Sequence, residues 1–325
     1  MSAGNPTRRQ ILKTGALALA LGAGIAPVRA AAPLSVVATT GMIADIARRL
    51  LGADGTVAAL MGPGIDPHSY RVTRSAIVAM TRADLVLVNG LGLEAQLTEF
   101  LADLGARKPV LAVADGLDAE RLLANPDHPG AADPHVWMDA SLWKAVAGIM
   151  AGALAGTLAD AGAAIEDRMQ ALGAELDALH AYAGAALASI PENARVLITA
   201  HDAFGYFGRA YGVEVHGIQG ISTESEAGLQ RIGALVDLLV ERRVPAVFVE
   251  TSVSERNVRA LIEGAAARGH AVSVGGALFS DAMGAEGTYE GTYPGMIDHN
   301  VTMIARALGG VVPERGLAGR LGLGG

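Results

Sequence analysis

From Pro33 onward, short apolar runs alternate with amphipathic stretches. That is the rhythm of strands followed by the helices that cover them, and it predicts an α/β fold. In the first half LSVVATT, VAALM, LVLVNG and VLAVAD read as strands, while MIADIARRL, Arg71 to Thr81 and Leu93 to Leu104 read as helices. NPDHPGAAD, Asn125 to Asp133, is a loop by composition, and another helical run begins at Ser141. After Pro191 the rhythm restarts. VLITA, VEVHGI, AVFVE and AVSV are the expected strands; AFGYFGRAYG, Glu226 to Arg243 and Ser254 to Arg268 are the expected helices. The Gly-rich GGALFSDAMGAEGTYEGTYPG reads as a loop, and Met296 to Leu308 as a closing helix. The two halves are loosely alike, and there is no tandem repeat.

Between the halves, from about Asp160 to Ile190, lies a run of good helix formers stopped by Pro191. A helix of about thirty residues reaches about 45 Å, more than one small domain needs. It reads as a rigid strut, with a long ordinary surface helix as the alternative. The expected organisation is two α/β lobes, 31–158 and 191–325, joined by a single long backbone helix at 159–190.

Residues 1–30 read as an export signal and stand apart from the fold. Arg8, Arg9 and Lys13 precede the apolar run Ala16 to Ile25 and a cleavage-like Val28-Arg29-Ala30. TRRQILK looks like a twin-arginine signal, with an ordinary secretory signal as the alternative. The apolar run, broken by Gly22 and Gly24, is too short for a membrane anchor.

Composition narrows the function. The 325 residues are 51% hydrophobic and only 4% aromatic, so Ala, Leu and Val must fill cores large enough for about two domains. Without cysteine there is no disulfide, thiolate metal site, thiol nucleophile or lipid-bearing cysteine, so a soluble periplasmic protein without a lipid anchor is expected. Loss of Arg8, Arg9, Lys13 and Arg29 with the signal would take the net charge from −8 to −12. So acidic a chain is a poor partner for nucleic acid, and it is compatible with collecting cations.

Asp-Pro-His occurs twice, placing His68 and His135 67 residues apart. Proline stiffens each turn and presents the imidazole from a non-helical segment. His201 follows VLITA and Asp281 follows ALFS. All four would lie outside the carboxyl ends of strands, where open α/β sheets bind ligands. Three imidazoles and a carboxylate suit zinc, with bonds of about 2.0–2.2 Å; a bidentate carboxylate would also allow manganese or ferrous iron.

Each residue also has a plainer reading. A lone histidine after a strand is more often hydrogen-bonded structure than a ligand. Asp66 and Asp133 either start turns or orient their histidines. Glu250, at the end of AVFVE, is a salt-bridge partner, an orienting base for an imidazole or an alternative ligand, and the orienting reading is favoured. His128 is a solvated or weak capture residue; His180, His216, His270 and His299 read as structural. His-Glu-x-x-His, Gly-x-Ser-x-Gly and a Walker phosphate loop are absent, GLGLE lacks dinucleotide spacing, and no nucleophile is evident.

GPGIDPHSYRVT, ADLVLVNGLGLE, DPHVWMD, TAHDAFGYFGRAYG, GIQGISTESEAG, VFVETSVSERNV, LFSDAMG and GTYPGMIDHN together carry a specific resemblance. The chain resembles the metal-binding solute-binding proteins of ABC importers, the zinc/manganese cluster, over essentially its whole mature length. The resemblance implies two lobes with the metal in the cleft between them, and ligand positions at His68, His135, His201 and Asp281. The third of these is commonly Glu in manganese binders and His in zinc binders, so His201 favours zinc. The long His-rich loop of many zinc-binding relatives is represented here by His128 alone, which keeps manganese in play.

The expected protein is a non-catalytic, monomeric receptor that hands zinc to an inner-membrane ABC permease. A strut would limit the hinge, so release would come from small rearrangements of lobes and loops. Affinity should fall as pH drops through the histidine range. Two rivals are a zinc-dependent hydrolase, disfavoured because four protein ligands leave little room for a water, and an adhesin in which metal only stabilises the fold.

Overall fold

β1 (Leu34–Ala38) and β3 (Leu85–Val88) lie side by side at the centre of the first half in this computed structural model, which describes Met1 and residues 33–322. The export signal expected over residues 1–30 lies outside the described residues, Met1 excepted. β2 (Gly55–Ala59) pairs with β1, and β4 (Val110–Ala112) with β3, giving a parallel sheet of order β2-β1-β3-β4. All four residues of β3, LVLV, are buried, as befits a parallel strand covered on both faces. Helices α1 (Gly41–Leu51), α2 (Arg74–Arg82) and α3 (Thr98–Gly105) connect the strands. α2 starts three residues later than the apolar pattern suggests, because the Thr73 hydroxyl accepts the Ala76 N–H and caps it there.

The second half repeats the plan. β5 (Val196–Thr199) pairs in parallel with β6 (Glu214–Gly217), and β7 (Ala246–Glu250) with β8 (Ser273–Leu278). β5 and β7 run side by side, so the spatial order β6-β5-β7-β8 mirrors the first sheet, although no ladder joins them among the described residues. Helices α6 (Gly205–Tyr211), α7 (Leu229–Arg242) and α8 (Arg256–Ala267) serve as connections.

Two boundaries in the second half differ from the sequence pattern in ways that packing and capping explain. β8 continues through Gly275 and Gly276 to Leu278, where a loop was expected. The ladder slips at Val247/Phe248, and a side chain at 275 would come within 2.6 Å of the Phe248 ring, so glycine there is a packing requirement. The closing helix α9 (Tyr293–Ala307) begins three residues early: Thr292 caps it through the Gly295 N–H, and Pro294 sits in the first turn, where its missing donor costs nothing.

α4 (Ala140–Thr157) leads into the long α5 (Gly162–Ala188), 27 residues and about 40 Å. Ile165, Leu172, Leu176, Leu179, Ala183 and Leu187 form its buried stripe. The stripe packs on α1 and α4 of the first half and on α6 and α9 of the second, so the helix braces both. One continuous core runs from β1 to α9 and includes Trp137, Trp143 and Tyr293. Among the described residues no helix is long and apolar enough to cross a membrane.

Candidate metal centre

Each half delivers two polar side chains from segments that follow its strands. His68 comes from the loop after β2. There Asp66 Oδ1 accepts the His68 backbone N–H (2.9 Å) and Oδ2 accepts the Ser69 hydroxyl (2.7 Å), a side-chain-closed turn of the kind Asp-Pro initiates. His135 is held differently. Asp133 Oδ1 accepts both its backbone N–H (2.9 Å) and its ring Nδ1–H (2.8 Å), while Asn89 Nδ2 donates to Pro134 O (3.1 Å).

His201 stands two residues beyond β5. Glu250, the last residue of β7, accepts the His201 backbone N–H at Oε1 (2.9 Å) and the ring Nδ1–H at Oε2 (2.5 Å). Asp281 stands three residues beyond β8, on a segment gripped by Asn300 of α9, which accepts the Phe279 N–H (2.9 Å) and donates to Phe279 O (2.7 Å). Trp137 Nε1 donates to Ser280 O (2.8 Å), tying the segment of His135 to that of Asp281 across the halves.

The four side chains converge. One ligand atom from each of His68, His135, His201 and Asp281 lies within 4.8 Å of every other, and all four residues are buried. The Nε2 atoms of His68 and His135 are 3.2 Å apart. Asp281 Oδ1 lies 3.5 Å from His135 Nε2, and Oδ2 lies 3.2 Å from His201 Nε2. The two Asp281 distances are close approaches rather than aligned hydrogen bonds: His201 Nε2 and both Asp281 oxygens lack a hydrogen-bond partner. Buried polar atoms are rarely left so, and several aimed at one point are what a cation would satisfy. With Nδ1–H engaged by Asp133 and Glu250, the neutral forms of His135 and His201 turn an Nε2 lone pair inward.

The electrostatics of the four side chains point the same way. Burial pushes His68 down to about 4. For His135, burial opposes the charge but is outweighed by Asp133 and Asp281, which lift it to about 9. His201 rises well above its ordinary value because Asp281 and Glu250 overcome the same burial. Asp281 lies well below the usual carboxylate range: burial would raise it, and the facing imidazolium charges prevail. Protons on the imidazoles thus balance the carboxylates, a role that a divalent cation can take over.

Of the remaining candidates, Glu250 takes the orienting position and Asp133 does the same for His135, while Asp66 serves its turn and never reaches the His68 ring. His128 is exposed and stands outside the cluster. His180, His216, His270 and His299 hydrogen-bond to Tyr211, Glu214, Val244 O and Ala277 O respectively. Sequence reasoning missed Asn300 and Trp137, the braces of the ligand segments. HVWMD and IDHN stand within the motifs, but nothing local reveals contacts across more than twenty and more than a hundred residues.

The family described as ZnuA, zinc-uptake complex component A, periplasmic, matches residues 36–307. Zinc-binding protein TroA of Treponema pallidum is 43% identical over 273 residues, 84% of this chain and 88% of TroA. Manganese-binding lipoprotein MntA of Bacillus subtilis is 42% identical over 276 residues, 85% of this chain and 90% of MntA. The solved structure of the periplasmic zinc-binding protein TroA superposes with a TM-score of 0.83 at 42% identity, covering 85% of this chain and 99% of that one. The chain therefore belongs to the ZnuA family, the metal-binding solute-binding proteins of ABC importers.

Proposed function

We propose that this protein captures zinc in the periplasm and delivers it to a cognate inner-membrane ABC permease, with His68, His135, His201 and Asp281 as the four ligands. The observation that carries the proposal is the convergence of three inward Nε2 atoms on one buried carboxylate whose oxygens have no other partner. Asp133 and Glu250 fix the tautomer and aim of two imidazoles, as carboxylates behind zinc-bound histidines do. A nitrogen-rich set favours zinc over the harder manganese ion. Four protein ligands also leave little space for a reactive water, which supports carriage of the ion over catalysis with it.

Manganese is the second reading. It is favoured by two free oxygens on Asp281, able to bind in bidentate fashion, and by the 42% identity with manganese-binding MntA. The deciding experiment is isothermal titration of metal-free protein with zinc, then manganese competition. One tight zinc site that manganese does not displace, lost in His201→Ala, is expected; preference for manganese would replace the reading.

The leader and the absence of cysteine support a soluble periplasmic receptor exported by the twin-arginine route. Changing Arg8 and Arg9 to Lys should block its export; undiminished export would assign the ordinary secretory route.

A further inference from the structure

The stretch GIQGISTESEAG, residues 217–228, supplies none of the four converging side chains, yet it straps the second half to the first. Three contacts do this. Ile221 N–H donates to Asp127 Oδ2 (2.9 Å), Gln96 Nε2 donates to the Glu224 carboxylate (3.2 Å), and the Thr223 hydroxyl donates to Asp66 Oδ2 (2.6 Å). Gln219 stiffens the strap from within by donating to Thr223 O and Ser225 O.

The third contact matters most, because Asp66 is also the residue that shapes the His68 turn. His135 and His201 have carboxylates behind their rings; among the described residues no carboxylate hydrogen-bonds to His68 Nδ1. The His68 ring therefore has no carboxylate behind it, and beyond its contact with His135 Nε2 its place depends on its backbone. That backbone hangs on Asp66, and Asp66 is tied to the other half by a short charge-assisted bond. A cleft of about 700 Å³, lined by both residues with Gln219, Ser252 and Asn257, opens beside the pair. Breaking the bond would expose it to water and free the His68 loop, whose Gly62, Gly64 and exposed Ile65 offer little resistance.

We infer that the Asp66–Thr223 bond is the clasp that sets the escape rate of the captured ion, with His68 the first ligand to leave. The inference rests on the capture reading above. Thr223 acts through Asp66 and never touches the metal, so it is a positioning residue.

The test is stopped-flow release of zinc from the loaded full chain into excess EDTA, followed by tryptophan fluorescence; Trp137 lies 5.2 Å from the His135 ring. Thr223→Val should speed release by about tenfold or more, the worth of a lost hydrogen bond to a charged group. Thr223→Ser should restore the slow rate. The association rate and the visible spectrum of the cobalt-substituted site should stay as in wild type, which a general loosening of the fold would not leave intact. Release from Thr223→Val within twofold of wild type, failure of the Ser variant to restore it, or an altered cobalt spectrum would each overturn the clasp. Wild type that binds no zinc would sink the capture reading as well; wild type that binds tightly beside an unchanged Thr223→Val sinks the clasp alone.

Discussion

Glu250 holds His201 at two points, the backbone N–H through Oε1 and the ring Nδ1–H through Oε2. The strand β7 thereby dictates both where His201, two residues beyond β5, sits and which way its imidazole faces. Glu250→Gln keeps the shape but places a neutral amide where the carboxylate was, so the ring loses its tautomer lock and its electron donor. We predict a fall in zinc affinity of about ten- to hundredfold, as for other groups behind a metal-bound histidine. His201→Ala should cost far more. Titration of both variants in one chelator series checks the order; equal losses would make Glu250 a ligand rather than an orienting base.

The pH dependence should extend beyond the ordinary histidine range. His135 is raised to about 9 and His201 well above its usual value, so the metal-free protein holds both protons at neutral pH. Zinc must displace them, whereas His68, lowered to about 4, has none to give. Affinity should therefore fall as pH falls and keep rising up to about pH 9, with about two protons released per zinc at pH 7. Calorimetry at pH 7 in two buffers of different ionisation enthalpy counts them. A plateau of affinity above pH 7 would contradict the assignment.

How much of this was legible in the chain depends on how local the cause is. Strands such as LVLV and VLIT announce themselves by unbroken apolar runs, and the four converging residues follow strands or stand in stiff Asp-Pro-His turns. Asp66 and Asp133 look identical in sequence and do different work: one stops at its own turn and reaches Thr223, the other turns back onto the ring of His135. The far end of the last strand was hidden because its glycines read as loop, when Gly275 is there to admit the Phe248 ring.

That strand leads to Asp281, so its packing should be felt at the site. A methyl group at Gly275 would meet the Phe248 ring at 2.6 Å and Ala307 Cβ at 2.9 Å. Gly275→Ala should destabilise the protein by about 1–3 kcal/mol through overpacking and weaken zinc binding as β8 shifts Asp281. Denaturant unfolding and titration of the variant measure the two effects; wild-type values in both would show that Phe248 yields without cost.

Exchanging His201 for Glu tests the proposed preference for zinc. His201→Glu supplies the harder donor that suits manganese, but here it would bring a second carboxylate against Glu250, which now accepts the imidazole proton. Two buried carboxylates so close cannot both ionise readily, and a proton retained between them opposes the cation. The single variant should therefore lose zinc without gaining manganese. His201→Glu combined with Glu250→Gln removes the clash and leaves an amide to donate to the new ligand. It should bind manganese at least about tenfold more tightly than the single variant, roughly the effect of one relieved unit of pKa shift. Competition titrations of both variants with zinc and manganese decide it. Manganese binding restored by the first substitution alone would mean that Glu250 moves away freely, and that its grip on His201 is weaker than the geometry implies.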